Sequence, residues 1–311
     1  MKCAQYTLDA TIDIGVCTFQ RPALREVLTS LFAITVPNGM RIRVIVADND
    51  SQPSAKPLVD ELRVSSPHEI CYVHCPKANI SIARNACLGN NRAAYLAFID
   101  DDEIASTDWL IELYSTLRET GADAVLGPVR AVYNRNAPDW LRQGDFHSTF
   151  PVWVQGEIRT GYTCNVILNM RSPQIAQRRF DLALGQSGGE DTQFFTSVTD
   201  NGGRIAFAPA AVLEEPVPAH RASFKWLFKR RFRFGQTHGR IAAEKHSGAR
   251  RWIEAVLAAS KVGYCCFCCL MMMLSAVNRN RYALRAALHA GAVSGIFGVR
   301  EIRQYGTVEL S

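Results

Sequence analysis

Short apolar runs alternate with amphipathic segments through the first half of the chain. The runs have the length and the β-branched content of buried strands, and they predict strands at 12–18, 41–48, 70–74, 95–99 and 124–126. The segments between them have helical periodicity and predict helices at 21–33, 55–63, 81–90 and 106–119, the last capped by Ser106 or Thr107. This alternation predicts an α/β fold with a mostly parallel sheet flanked by helices.

The pattern changes in the second half of the chain. Residues 130–204 are less regular, apart from a helical segment at 192–198, and 204–208 reads as a strand. A basic amphipathic stretch at 224–238 follows Pro216 and Pro218, and apolar segments occupy 252–277 and 283–299. We therefore expect two domains, an α/β domain at 1–218 and a helical, apolar and basic C-terminal extension at 219–311.

The C-terminal apolar segments are short for membrane-spanning helices. The run at 262–277 falls below the roughly 20 residues that a span needs, and the second segment contains Arg285 and His289. Interfacial or hairpin helices at a membrane surface and a helical subdomain buried against the core explain the pattern equally well. The N-terminus has no apolar stretch typical of a signal peptide, so we expect a cytoplasmic protein that associates peripherally with the inner face of the cell membrane.

Composition and charge narrow the class of protein. The chain has 311 residues, of which 48% are hydrophobic and 21% charged, and this excludes a disordered chain. The net charge is +6, and no acidic residue interrupts the basic stretch between Arg221 and Arg240. Such a stretch suits phosphates, anionic lipids or nucleic acid, but no nucleic-acid-binding motif accompanies it, so we expect no nucleic-acid partner. The ten cysteines have neither disulfide-framework nor zinc-site spacing.

Three consecutive aspartates, Asp100 to Asp102, directly follow the predicted strand at 95–99. Adjacent carboxylates repel one another unless a positive charge lies among them. Mn²⁺ and Mg²⁺ bind such oxygens together with substrate phosphates, and ligands of open α/β sheets bind at the carboxyl ends of strands. The triplet therefore favours a metal-assisted site for a phosphate-bearing ligand over the alternative, an acidic first turn of a helix.

Two other acidic elements could belong to the same site. Asp48 ends the predicted strand at 41–48, where a carboxylate can accept hydrogen bonds from a nucleobase or a ribose, although Asp-Asn-Asp-Ser is also good turn sequence. Glu190 and Asp191 follow a glycine-rich loop and open a helix. A carboxylate there would act as general base toward a hydroxyl nucleophile, or it would only cap the helix.

The order of these elements resembles the inverting glycosyltransferases of family 2, which have a GT-A fold. The matching set is Asp48 after its strand, Asp-x-Asp at Asp100 and Asp102, the pair Glu190-Asp191, and Arg230-Arg231-Phe232. Longer phrases, including DIGVCTFQRP, VHCPKANISIARN and RRFRFGQTHGR, are similar to glucosyltransferases that build succinoglycan, an acidic exopolysaccharide. The resemblance extends through nearly the whole chain and implies that 1–218 is a GT-A catalytic domain.

On the donor side, the resemblance implies a nucleotide site built from four residues. Thr18 and Asp48 would contact the uracil of a UDP-sugar, Arg84 would lie near the nucleotide, and Asp100 would hold the ribose.

The resemblance also implies a metal site and a catalytic base. Asp102 would coordinate Mn²⁺ or Mg²⁺ on the diphosphate, with Glu214 in place of a histidine that many relatives carry. Asp191 would be the catalytic base, and Glu190 would support the acceptor or the loop.

Arg230 and Arg231 resemble the arginine part of a family element that supports the leaving diphosphate, although Phe232 stands where relatives have tryptophan. The implied reaction is an inverting transfer of glucose from UDP-glucose, through a β-1,4 bond, to a polyprenyl-diphosphate-linked oligosaccharide. Two alternatives stay open. One is the same chemistry with another nucleotide sugar, and the other is a membrane-docking protein that binds a nucleotide sugar without turnover.

Several further residues are candidates for contacts with an acceptor sugar. Trp140, Trp153 and Tyr162 would either stack on a sugar ring or pack in the core. His147 is a weaker candidate, because one histidine without partners is more often structural. Asn165 lies in a segment that reads as an acceptor-facing strand.

Overall fold

The computed structural model describes residues 10–299 and 302. Residues 1–9, on which most of the expectation of a missing signal peptide rests, lie outside the described residues, as do 300, 301 and 303–311 at the end of the predicted extension.

The strands are β1 (Thr11–Thr18), β2 (Arg41–Asp48), β3 (Glu69–His74), β4 (Tyr95–Asp100), β5 (Ile104–Ala105), β6 (Ala124–Leu126), β7 (Val129–Tyr133), β8 (Trp153–Val154), β9 (Glu157–Ile158), β10 (Asn165–Asn169), β11 (Ile205–Phe207) and β12 (Leu213–Val217). The helices are α1 (Leu24–Phe32), α2 (Lys56–Arg63), α3 (Ile80–Asn90), α4 (Trp109–Thr120), α5 (Asp139–Gly144), α6 (Glu190–Asp200), α7 (Phe224–Lys245), α8 (Gly248–Met271) and α9 (Ala276–Ile296).

Seven strands form the main sheet, in the order β11-β6-β10-β4-β1-β2-β3. The pairs β1–β2, β1–β4, β2–β3 and β6–β11 are parallel, and only β10 runs antiparallel to its neighbours β4 and β6. The predicted α/β fold with a mostly parallel sheet flanked by helices is confirmed, and so is the helical, apolar character of the C-terminal region.

Both faces of the main sheet are covered, which explains why its strands are continuous apolar runs. Ile12, Ile14 and Val16 of β1 are fully buried in the cluster that includes residues of α1, α2 and α4. Phe98 of β4 belongs to a second cluster, together with residues of α3 and α6. Complete burial of each such side chain contributes about 1.5–3 kcal/mol to stability. The core therefore fixes the strands whose ends carry the polar residues.

Strand β10 lies in a region whose pattern is irregular, and its central place in the sheet was not predicted. Its first residue, Asn165, is fully buried and makes three hydrogen bonds. The indole nitrogen of Trp109 donates to Asn165 Oδ1 (2.8 Å), and Asn165 Nδ2 donates to the carbonyl oxygens of Pro128 (2.9 Å) and Ala211 (2.8 Å). Asn165 is thus a structural residue that joins three segments distant in sequence.

Helix α4 begins at Trp109, so the predicted cap at Ser106 or Thr107 is wrong. Asp108 occupies the N-cap position without a capping hydrogen bond from its side chain. Its carboxylate instead accepts a hydrogen bond from the Thr35 hydroxyl at 2.9 Å. The Asp108 carboxylate thus makes a contact across the fold and does not cap the helix.

The chain forms two compact units. The first contains the described residues up to Arg130, Ser148–Gln186 and Glu190–Glu215, and the second contains Ala131–His147, Ser187–Gly189 and the described residues from Pro216 onward. The main sheet belongs to the first unit, and α7, α8 and α9 belong to the second. The expected domain boundary at residue 218 stays a prediction.

Glycines let α7 and α9 pack with their backbones in contact. A Cβ atom added at Gly235 would lie 1.9 Å from the carbonyl oxygen of Leu288, and one added at Gly291 would lie 1.9 Å from that of Phe232. Gly239 and Gly295 repeat this arrangement one turn further along the two helices. Small residues four positions apart permit such close approach, as in helix pairs within membranes.

Gly291→Ala is expected to destabilise the helical unit by about 1–3 kcal/mol, because the added methyl group collides with backbone that cannot rotate away. Gly263→Ala on α8 is the matched control. A methyl group placed at Gly263 meets nothing within 4 Å, so the higher helix propensity of alanine should raise stability by up to about 1 kcal/mol. Thermal unfolding followed by circular dichroism measures both changes, and equal effects would contradict the packing argument.

Helix α8 is apolar on most of its surface yet packs mainly against α9. It is the one helix in the described part of the chain that is long and apolar enough to cross a membrane, and only 17% of its most apolar window is buried. Large side chains are exposed along its whole length and at the turn that follows, including Trp252, Val256, Phe267, Met271 and Leu274.

Candidate active site

Parallel register brings the polar ends of three strands to one edge of the main sheet. Thr18 at the end of β1 lies opposite Asp48 of β2, and Cys17 of β1 lies opposite Asp100 of β4. The side chain of Thr18 lies near Asp101 and lowers the pKa of that carboxyl group, against the larger rise that burial causes. The aspartate triplet and the end of β1 therefore form one site, as the sheet pattern predicts.

Four consecutive acidic residues, Asp100 to Glu103, occupy the turn after β4. Asp101 and Glu103 are buried, and Asp100 and Asp102 are partly exposed. The backbone N–H of Phe19 donates to Asp101 at 3.3 Å. The guanidinium group of Arg21 lies 3.5 Å from Asp101 and 3.5 Å from Asp102. This cation follows β1 and is a site residue that was not predicted from the sequence.

The acidic turn carries more negative charge than its cations offset. Burial, together with the charge of Asp102, raises the pKa of Asp100 to about 6 and that of Asp101 to about 7. Burial and the neighbouring carboxylates also raise the pKa of Glu103 well above its ordinary value. Such a cluster favours the binding of a cation.

Glu214 and Glu215 differ in their relation to this cluster. Glu214 pairs with Ile104 and is exposed, whereas the charge of Glu215 contributes to the raised pKa of Glu103. Side chains alternate along a strand, so Glu215 shares the face of the buried Leu213. The alternation of inward- and outward-facing side chains along β12 was the signal that could have identified Glu215 from the sequence. The predicted metal role of Glu214 has no support from this geometry.

Asp48 is fully buried, and its carboxylate holds the loop that follows β2. It accepts hydrogen bonds from the backbone N–H of Asp50 (3.1 Å), the backbone N–H of Ala55 (2.9 Å) and the hydroxyl of Tyr72 (2.7 Å). These three bonds occupy most of the acceptor capacity of the group. The Asp48 carboxylate thus fixes the conformation of the loop that follows β2 at the edge of the sheet.

Arg84 joins the aspartate triplet to the second acidic element. It is buried on α3, pairs with Glu190 and lies 3.9 Å from Asp100. The negative charge of Asp191 contributes to the raised pKa values of both Asp100 and Glu190. Asp100 and Glu190 therefore contact one arginine, with the charge of Asp191 nearby, although 90 residues separate the two acidic elements in the sequence.

Glu190 and Asp191 differ in exposure and bonding. Glu190 is 2% exposed, and its Oε2 atom has no hydrogen-bond partner among the described residues. Burial raises the pKa of Glu190 to about 7 against the opposing charge of Arg84. Asp191 is half-buried and accepts the backbone N–H of Thr192 at 2.6 Å. Asp191 is therefore the more accessible of the two carboxylates, and Glu190 is internal to the fold.

The loop before Glu190 requires glycine at two positions. Gly188 and Gly189 have φ angles of 90° and 91°, in the region that side-chain-bearing residues rarely adopt. A Cβ atom at Gly189 would also lie 2.3 Å from a methyl carbon of Thr237. The glycines thus set the direction in which α6 starts and presents its acids.

A family model described as Glycosyl transferase family 2 matches residues 13–182, more than half of the chain. The chain belongs to this family. It is a glycosyltransferase.

Two relatives illustrate the range of sequence similarity. The chain is 58% identical, over 96% of its own length and 97% of the other, to Succinoglycan biosynthesis protein ExoM of Rhizobium meliloti (strain 1021). It is 23% identical, over 68% of its length and 67% of the other, to Glycosyltransferase AglE of Haloferax volcanii.

Among solved structures, S. aureus TarS 1–349 in complex with UDP superimposes with a TM-score of 0.53 at 16% identity, covering 91% of this chain and 90% of that one. The same protein in complex with UDP-GlcNAc gives a TM-score of 0.53 at 18% identity, over 72% and 66% of the two chains. The chain spans 42% of the longer TarS chain. These structures support the GT-A-like fold.

The carboxylates of the acidic turn suit a divalent cation that takes only part of its ligands from the protein. Glycosyltransferases of this family commonly use divalent metals. Within 10–299 and 302, no group of three histidine, cysteine, aspartate or glutamate residues has the arrangement of a metal site. The partly exposed oxygens of Asp100 and Asp102 instead suit an ion that takes one or two carboxylates and completes its shell with water and substrate phosphates, as Mg²⁺ does.

The three aromatic residues that were candidates for contact with an acceptor sugar differ in their exposure to solvent. The Tyr162 hydroxyl donates to the carbonyl oxygen of Gly127 at 2.8 Å, and the Trp140 ring packs against Phe146 at 5.3 Å. Both side chains therefore have structural roles. Trp153, at the β8–β9 hairpin, is 56% exposed and is the one of the three with a ring surface open to a ligand.

His147, Arg230 and Arg231 belong to the second unit. The imidazole of His147 is buried between partners, with Nδ1 3.0 Å from the Tyr133 hydroxyl and Nε2 3.1 Å from the carbonyl oxygen of Arg221. The two arginines lie on α7. Their predicted role at the leaving diphosphate stays a prediction.

His147 makes stability fall in acid. Burial lowers its pKa to about 4, so the folded state resists a proton that the unfolded state accepts near pH 6.5. The contribution of neutral His147 to the free energy of unfolding is complete above about pH 6.5. It decreases by on the order of 3 kcal/mol as the pH falls toward 4. Unfolding at pH 7 and pH 4.5 should show a smaller loss for His147→Gln than for the unsubstituted protein. An equal loss would contradict this assignment.

Proposed function

We propose that the protein is a metal-assisted, inverting glycosyltransferase that moves glucose from UDP-glucose to a lipid-linked oligosaccharide. The observation that carries the proposal is that Arg84 contacts both Asp100 and Glu190, which brings the aspartate triplet to the helix start that carries Asp191. A nucleotide-diphosphate site and a base for an incoming hydroxyl are the two parts that this reaction needs.

In this proposal, the end of the sheet receives the nucleotide. Asp48 holds the loop that faces the base, beside Thr18, and Asp100 accepts hydrogen bonds from the ribose. Asp102 would hold Mn²⁺ or Mg²⁺, which supplies positive charge to the departing diphosphate. Arg84 keeps Asp100 and the start of α6 in fixed relation through its contacts with both acidic elements.

Asp191 completes the reaction on the acceptor side. The acceptor oxygen forms a bond to C1 of the sugar while the bond from C1 to the diphosphate oxygen breaks, and Asp191 takes the hydroxyl proton. UDP leaves with the electron pair of the broken bond. One base and one departing diphosphate on opposite sides of C1 give inversion, because no covalent sugar–enzyme intermediate is formed.

Relatives support the identity of the substrates. The TarS structures contain UDP or UDP-GlcNAc on the same fold, which supports a uridine nucleotide. The relative that is 58% identical is a succinoglycan biosynthesis protein, which supports an exopolysaccharide acceptor. Glucose and the β-1,4 linkage are what the resemblance of the sequence implies. The exposed apolar surface of α8 supports peripheral association with the cytoplasmic membrane surface, where a polyprenyl-linked acceptor resides.

A donor panel tests this proposal. Purified full-length protein is incubated with an extracted lipid-linked trisaccharide and radiolabelled UDP-glucose, UDP-galactose, UDP-GlcNAc or a deoxysugar nucleotide. Transfer from UDP-glucose alone, lost with EDTA and restored by Mn²⁺ or Mg²⁺, is the expected result. Transfer from another donor would identify a different glycosyltransferase of the same chemistry. Nucleotide binding without transfer from any donor would favour the membrane-docking alternative.

A further inference from the structure

Three arginines in the second unit form a cationic cluster on two helices. Arg230 and Arg231 lie on α7, and Arg285 lies on α9, the helix packed against it. Burial lowers the pKa of Arg231, and the charges of Arg230 and Arg285 lower it further. Arg230 directly precedes Arg231 on α7, and a Cβ atom added at Gly291 of α9 would lie 1.9 Å from the carbonyl oxygen of Phe232, so the three arginines occupy one region of the packed helix pair. Within the described part of the chain, none of the three has an acidic residue within ion-pair distance.

Neutral contacts hold these arginines in place. The guanidinium carbon of Arg230 lies 5.3 Å from the ring centres of both Trp226 and Phe234. Arg231 donates to the carbonyl oxygen of Phe146 at 3.2 Å, and Arg285 lies 5.8 Å from the Tyr282 ring. Aromatic rings and a carbonyl oxygen orient guanidinium groups and leave their net charge intact.

The surrounding helices do not offset this charge. Residues 224–296 contain 13 lysines and arginines but only two acidic residues, Glu244 and Glu254. Arg240 pairs with Glu244, and both lie more than two turns beyond Arg231 along α7. Cations that repel one another without a counterion are typical of an anion site, and the planar guanidinium group matches the geometry of phosphate oxygens.

The cluster borders the exposed apolar helix α8. Cys265 is buried on the side of α8 that packs against α9. Burial raises the pKa of its thiol, and the positive charge of Arg285 opposes this rise, so Arg285 lies near that side of α8. The opposite side of α8 exposes Tyr264 and Phe267 within the same turn. An anion bound at Arg285 is thus separated from a surface that suits a hydrocarbon chain by the width of one helix, about 10 Å, which a polyprenyl chain can span.

We propose that Arg230, Arg231 and Arg285 bind the diphosphate group of the polyprenyl-linked acceptor, with the polyprenyl chain along α8. This rests on the proposed function, since it assigns the acceptor of that reaction. It gives Arg230 and Arg231 a different ligand from the donor diphosphate that the family resemblance implies. It also adds Arg285, which lies outside the family element. Both ligands are organic diphosphates, so the test must separate the donor from the acceptor.

Arg285→Gln in the full-length protein tests the assignment, and Arg279→Gln is its control. Arg279 is an exposed arginine on the same helix, so the two variants lose the same charge. Binding of farnesyl diphosphate, a short polyprenyl diphosphate, and binding of UDP are measured separately by titration calorimetry in detergent. Circular dichroism verifies that both variants are folded.

We expect Arg285→Gln to weaken farnesyl diphosphate binding about tenfold, the effect of one lost charge-assisted hydrogen bond, and to leave UDP binding within about twofold. Arg279→Gln should leave both affinities within about twofold. In transfer assays, Arg285→Gln should raise KM for the lipid-linked acceptor and leave KM for the donor unchanged.

Three outcomes would overturn the proposal. Weaker UDP binding with unchanged farnesyl diphosphate binding would give the cluster to the donor. An equal loss of farnesyl diphosphate binding in both variants would indicate attraction by net charge alone. Unchanged binding of both ligands would exclude an anion site at Arg285. None of these measurements needs turnover, so a failure here differs from failure of the donor panel.

Discussion

Asp191→Asn is expected to lower the rate of sugar transfer by about 10³-fold, within the range of general-base effects. The amide keeps the size of the side chain but cannot accept the proton that the acceptor hydroxyl must lose. The aspartate triplet and the loop after β2 are unchanged in this variant, so the dissociation constant for UDP should stay within about twofold. Single-turnover transfer of radiolabelled glucose and calorimetric titration with UDP measure the two quantities.

Asp200→Asn is the matched control for this variant. Asp200 is exposed at the other end of α6, so the same substitution there should leave transfer unchanged. Full transfer activity in Asp191→Asn would eliminate the base assignment. Loss of UDP binding together with transfer would show that Asp191 serves the donor site instead.

Asp102→Asn should lower transfer by about 10²–10³-fold and raise the Mn²⁺ concentration needed for half-maximal rate. An amide oxygen carries no net charge and is a weaker ligand for a hard cation. Asp101 still lies 3.5 Å from Arg21 in this variant, so the protein should remain folded. A titration of transfer rate with Mn²⁺ after EDTA treatment measures the effect.

Asp108→Asn is the control for the metal experiment. Asp108 is exposed at the start of α4, and the amide oxygen of asparagine can still accept the hydrogen bond from the Thr35 hydroxyl. Its Mn²⁺ dependence should match that of the unsubstituted protein. If Asp102→Asn also kept an unchanged Mn²⁺ dependence, the metal would have to bind elsewhere or have no part in the reaction.

Parts of the site were accessible from sequence because they depend on neighbours along the chain. Asp100 to Asp102 directly follow a buried strand, and Gly188 and Gly189 precede the acids of α6. Glu215 was accessible in principle through strand alternation, yet the prediction fell on its exposed neighbour Glu214. In each case the position of the residue follows from the pattern of residues close to it in the sequence.

Other parts depend on residues far apart. Arg84 pairs with a glutamate 106 positions away, and no local pattern indicates that pairing. Asn165 was a candidate for acceptor contact, but its amide is buried between Trp109 and two carbonyl groups. Burial decides such roles, because an unpaired amide or carboxylate inside the protein costs far more than one in water.

The sequence by itself determined the α/β class, most of the elements of the sheet and the position of the acidic turn, since apolar periodicity and strand ends are local properties. Tertiary structure alone decided that β10 enters the sheet antiparallel and that Arg84 joins two acidic elements. It also decided that the helix that carries Arg285 packs against the helix that carries Arg231. The reason is that the energy of a charge is set by the charges and the solvent around it, and folding brings these together from distant parts of the chain.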